Sequence, residues 1–86
     1  MRIWLKTIVD EKLTRSTICT CPDAYDEDSV FSTLRQMCND LDIPTPLFSR
    51  TNYFNFVTFN SIRLKKSDFV ESVDFDVMEL EIVLDE

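Results

Sequence analysis

From Ile3 to Val9 apolar residues fall on both faces of an extended chain, with Ile3, Leu5 and Val9 pointing one way and Trp4 and Ile8 the other. A strand that is apolar on both sides predicts a central place in a sheet. Asp10-Glu11-Lys12 is a polar break. Leu13 to Cys21, rich in β-branched residues (Thr14, Thr17, Ile18, Thr20), predicts the returning strand of a hairpin, and Pro22 ends it. The acidic stretch Asp23 to Asp28 then opens a helix, with Asp26 or Asp28 able to cap its first turn. Val30, Phe31, Leu34, Met37, Cys38 and Leu41 recur at spacings of three and four, a one-sided apolar stripe. Pro44 and Pro46 stop the helix.

Leu47 to Leu64 reads two ways. Tyr53 to Phe59 favours a strand by propensity, whereas Phe56, Phe59 and Arg63 also fit helical spacing, with Ser49 or Thr51 as a cap. Ser67 to Val70 suggests one helical turn or a tight bend. Phe75 to Leu84 predicts a strand with Met78, Leu80, Ile82 and Leu84 on one face and Glu79 and Glu81, with Val77 and Val83, on the other. The expected architecture is a single α+β domain over residues 1–86: a small three-stranded, mainly antiparallel sheet in the order 3-1-2, made of the hairpin plus the C-terminal strand. One main helix and a short second helical segment pack on it, and the direction of the last strand stays open.

Composition narrows the chemistry. The 86 residues include 28 Leu, Ile, Val and Phe, enough for a folded core. There is no glycine, so the phosphate-cradling loops that need it are excluded, and tight turns must use Asp or Asn. There is no histidine, which removes the commonest general base and metal ligand, and with them the usual triads and zinc sites. Catalytic residues, cofactor and metal are accordingly all expected to be none. Three cysteines, Cys19, Cys21 and Cys38, are too few and of the wrong parity for a disulfide framework and are expected to pack as small hydrophobes. The N-terminus shows no signal-peptide core, because Lys6 and Thr7 interrupt it, and no segment approaches about 18 consecutive apolar residues. A cytoplasmic protein is expected.

Charge comes in blocks. The net −7 divides into +2 over residues 1–22, −5 over 23–43, +4 over 44–66 and −8 over 67–86. On the last strand the acids alternate, about 7 Å apart along one face. Asp74, Asp76, Glu79 and Glu81 are therefore the expected partner-binding acidic face. Such a row can mimic nucleic-acid phosphates in a basic groove of a nuclease or DNA-binding protein; it can equally be a solvated, aggregation-resistant sheet face. The basic block, Arg50, Arg63, Lys65 and Lys66, is expected to pair with the acidic one, within the fold or across a dimer; the net charge disfavours nucleic acid as a partner. Trp4, Phe48 and Tyr53 are candidate aromatic anchors for a partner. If no helix covers the second sheet face, Trp4 and Ile8 form a dimer or partner interface.

Trp4-Leu5-Lys6, the acidic helix start, Pro44-x-Pro-Leu-Phe48, Phe56-x-x-Phe59 and the run from Arg63 through Phe69-Val70-Glu71, Val73-Asp74-Phe75-Asp76 and Leu80-Glu81 form a pattern over nearly the whole chain. It resembles a group of short acidic bacterial proteins, mainly of anaerobic Gram-positive lineages, with no assigned activity. That resemblance implies a bacterial cytosolic origin, no catalytic residue, and helix rather than strand over residues 51–59. The functional expectation is a non-catalytic protein-interaction or regulatory module whose partner is another protein, a basic one at the acidic face. The alternatives are an acidic nucleic-acid mimic and a small metal- or thiol-site domain, and a homodimer is a third arrangement.

Overall fold

The computed structural model describes residues 1–23 and 25–83. The chain runs β1 (Arg2–Val9), β2 (Lys12–Thr20), α1 (Glu27–Asp40), α2 (Arg50–Phe59), β3 (Ser61–Lys65), a 3-10 turn (Lys66–Asp68) and β4 (Val77–Val83). The strands form one sheet in the order β2-β1-β4-β3, and every neighbouring pair is antiparallel. The double-sided apolar pattern of β1 indeed marks a central strand.

The α+β class holds, but the three-stranded sheet with order 3-1-2 is corrected to four strands. The additional strand, β3, lies outside the C-terminal one. Only Ile62 and Leu64 alternate inward between Ser61, Arg63 and Lys65, too short a pattern to separate from the helix before it. The short second helical segment is a ten-residue helix, α2. It resolves the ambiguity over Tyr53 to Phe59 against local propensity. Ser49 Oγ accepts from the Asn52 amide at 3.1 Å at its start, and Asn60 ends it in the left-handed region at φ 59°, turning the chain directly into β3. Asp26 stands at the start of α1 without a side-chain capping bond. The last expected strand residue, Leu84, lies outside the described residues, as do the acidic Asp85 and Glu86.

Both helices pack on the same face of the sheet. Val30, Leu34, Met37 and Cys38 of α1 and Tyr53 and Phe56 of α2 share one buried cluster with Ile3 and Leu5 of β1, Leu64 of β3 and Met78, Leu80 and Ile82 of β4. Phe69 and Phe75 meet edge-on at 5.4 Å within that cluster. Phe31, read as part of the apolar stripe, is exposed. The opposite sheet face carries no helix among the described residues.

Without glycine the turns rely on other residues at positive φ: Asp10, Glu11, Asp42 and Asn60. Asp42 follows α1, where its amide bonds the Asn39 carbonyl and the Ile43 amide the Cys38 carbonyl, the bond pair that commonly closes a helix with glycine. Asp10 and Glu11, at φ 50° and 67°, form the hairpin turn, and Asp76 clasps it by accepting from the Asp10 amide at 2.9 Å. Two consecutive left-handed residues suit an Asn-Gly or Asp-Gly turn, and a glutamate there bears a steric cost. Glu11→Gly is therefore expected to raise stability by about 0.5–1 kcal/mol, the relief exceeding the added unfolded-state entropy, read from the denaturant midpoint.

Candidate functional site

The four carboxylates of the expected acidic face do not form a free row. Asp74 lies before β4 and receives both terminal nitrogens of Arg15, at 2.9 and 3.0 Å. Asp76 lies 3.8 Å from Lys66 Nζ while holding the hairpin turn. Glu79 sits between two cations, Lys6 Nζ at 3.0 Å and Arg63 Nε at 3.0 Å. Glu81 lies 3.9 Å from Lys6 Nζ. The strand register explains this. Lys6, Glu79 and Arg63 stand directly opposite one another on three adjacent strands, so the basic and acidic blocks neutralise each other inside the sheet. Among the described residues, the outer face carries Lys6, Arg63 and Lys65 beside Glu79 and Glu81.

These contacts set an acid limb. The hydrogen bond from Lys6 holds the Glu79 carboxyl below its ordinary value of 4.5; burial opposes this and Arg63 adds to it. A carboxyl depressed in the folded state contributes stability above its unfolded value and loses it as pH falls through the folded one. The melting temperature is expected to fall as pH drops below about 4.5. Glu79→Gln should lower it at neutral pH and flatten the acid limb, checked by melts across pH.

The three candidate aromatic anchors separate. Trp4 is half-buried on the outer face, with Lys6 Nζ 4.0 Å above its ring. Phe48 and Tyr53 turn inward: Phe48 packs edge-on against Phe56 at 6.4 Å, and Tyr53 is buried in the core. Tyr25, Phe54 and Phe59 are the aromatics that stand well exposed.

The other carboxylates, Asp10, Glu11, Asp68 and Glu71 among them, carry no ion pair among the described residues. Among the described residues, no ion pair engages Asp23, Asp26, Glu27, Asp28, Asp40 or Asp42, which flank or belong to α1. This helix packs beside β2, an edge strand. The two sheet edges differ in kind. β3 is short and carries Arg63 and Lys65, the usual protection of an edge. β2 has nine residues, and its run Ser16-Thr17-Ile18-Cys19-Thr20 is uncharged and free of proline.

Backbone parity tells which groups on that edge are unused. The Cys21 amide donates to the Met1 carbonyl at 2.8 Å. In an antiparallel pair bonded and non-bonded positions alternate. The register Ile3↔Cys19, Leu5↔Thr17 then makes Cys19 and Thr17 bond to β1, while Ser16, Ile18 and Thr20 direct their amides and carbonyls outward. Beside this edge, on the helix side, Cys19, Thr20 and Pro22 face Ser29, Ser32, Thr33 and Gln36 across an open groove of about 420 Å³. Asp40 contacts two of its lining residues: Gln36 Nε2 donates to Oδ1 at 3.0 Å and the Cys19 thiol lies 3.9 Å from Oδ2. Burial and this carboxylate push the Cys19 thiol up. Cys21 and Cys38 are buried in the core, and burial pushes the Cys38 thiol up to about 11.

The sequence places the second strand at a sheet edge, whereas the candidate surfaces it offers are the acidic face, the aromatic anchors and the uncovered sheet face. The signal passed over is the uncharged five-residue run in a strand that the topology leaves unpaired on one side. Comparison with protein-family models, with curated proteins and with solved structures finds no match to this chain. No helix among the described residues is long and apolar enough to cross a membrane.

Proposed function

We propose that this protein is a non-catalytic interaction module that takes an extended segment of a partner protein as an additional strand on β2. The observation that carries the reading is the edge itself: nine residues long, uncharged from Ser16 to Thr20, with outward backbone groups at Ser16, Ile18 and Thr20 beside an open groove. Strand addition draws affinity from main-chain hydrogen bonds and selectivity from pockets that accept alternate side chains, and a sheet edge next to a helix supplies both. The three free cysteines support a reducing cytosol as the working compartment, in line with the bacterial cytosolic origin that the resemblance implies.

The test uses proline as a backbone probe. Ile18→Pro removes an outward amide that the folded chain does not use. Peptides selected on the wild-type protein from a random displayed library should bind it and fail on Ile18→Pro. Selected peptides that bind both proteins equally would contradict strand addition.

A further inference from the structure

Resting on that reading, we infer that the segment added to β2 is basic on one face and apolar on the other, with lysine or arginine at every second position. Side chains of neighbouring strands that lie beside one another point to the same face of a sheet. Partner residues beside Ser16, Ile18 and Thr20 therefore stand on the outer face. There Ile18 is about half exposed and lies directly opposite Trp4, so an apolar partner side chain completes an apolar row across three strands. Partner residues beside Thr17 and Cys19 point the other way, into the groove toward α1. That groove presents the hydroxyls of Ser29, Ser32 and Thr33 and the amide of Gln36 beside Cys19 and Pro22, and Asp40, which touches the lining residues Gln36 and Cys19, has no cation within ion-pair distance among the described residues.

The surrounding charge has the same sign. Residues 23–43, which include all of α1, carry −5. On the helix-facing side of β2 the cation Arg15 is already held by Asp74. An acidic segment would meet repulsion from this block, whereas a lysine or arginine entering the groove supplies Asp40 with its missing counter-ion. On the outer face the β1 residue opposite Ser16 is the cation Lys6, which disfavours a basic side chain there, so the charged positions are assigned to the groove. The uncharged run of β2 accommodates a segment of about five to seven residues at roughly 3.3 Å each.

The experiment titrates a capped peptide of about seven alternating valines and lysines, and its valine–glutamate counterpart, into wild-type protein, Ile18→Pro and Asp40→Asn. Ser16→Pro stands in if Ile18→Pro does not melt as a folded protein. The valine–lysine peptide is expected to bind wild type and the glutamate peptide not. Ile18→Pro should lose about tenfold or more in affinity, and Asp40→Asn about threefold. Raising salt from about 50 mM to about 500 mM should weaken binding about tenfold. Equal affinity for the two peptides, both lost on Ile18→Pro, would overturn the basic assignment while leaving strand addition standing. Binding of the lysine peptide that survives Ile18→Pro but falls with salt would overturn strand addition itself. No binding of either peptide at about millimolar concentration would overturn both.

Discussion

Phe56→Ala is expected to lower the free energy of unfolding by about 3–5 kcal/mol. The ring is fully buried where α2 meets the sheet, and Phe48 packs against its edge. Removing it discards the transfer free energy of the ring and leaves a cavity that a small core closes poorly. A chain of 86 residues is expected to hold about 4–13 kcal/mol in total, so this one change consumes about a quarter of it or more. Phe54, two positions earlier on the same helix, is exposed with Arg50 5.7 Å from its ring. Phe54→Ala should stay within about 0.5 kcal/mol of wild type. The comparison by urea denaturation checks which face of α2 is buried. Similar losses for the two variants would place the helix in a different rotation.

Thr17→Pro and Ile18→Pro are expected to diverge just as sharply, although the residues are adjacent. Thr17 stands opposite Leu5 in a bonded position, so proline there deletes a ladder bond, orphans its acceptor and forces its ring against β1. The cost is about 3 kcal/mol. Ile18 stands opposite Trp4 in a non-bonded position with its amide directed away from the sheet. Proline there costs only about 1 kcal/mol, mostly from lost contact with Trp4, because edge strands tolerate proline where the amide faces outward. Melting curves of the two variants read this directly. The same geometry makes Ile18→Pro a clean probe of binding: it removes the docking group and keeps the fold.

Much of this structure was legible in the residues. The three- and four-residue spacing of Val30, Leu34, Met37 and Cys38 marks α1 because a helix repeats on that period and the core takes one side of it. Apolar side chains on both faces of β1 mark it as central because both its neighbours are strands. What was not legible depended on contacts between distant parts of the chain. α2 is built from residues that favour strands, and its capping by Ser49 and packing of Tyr53 and Phe56 decide the matter. β3 offers two inward residues, fewer than periodicity needs. The alternation of Glu79 and Glu81 was readable, but whether they stand free depends on the register that brings Lys6 and Arg63 beside Glu79. Phe48 and Tyr53 look like any aromatic anchor in the sequence, and only the seating of α2 on the sheet buries one and half-buries the other.

The measurement that tests the central claim most directly is residue-resolved amide hydrogen exchange of the wild-type protein, with and without the bound valine–lysine peptide. The account predicts new protection at Ser16, Ile18 and Thr20, whose amides face outward, and little change at Thr17 and Cys19, already bonded to β1. Protection that appears instead around Trp4, Ile8 and Val77 on the open sheet face, with the β2 amides unchanged, would contradict it.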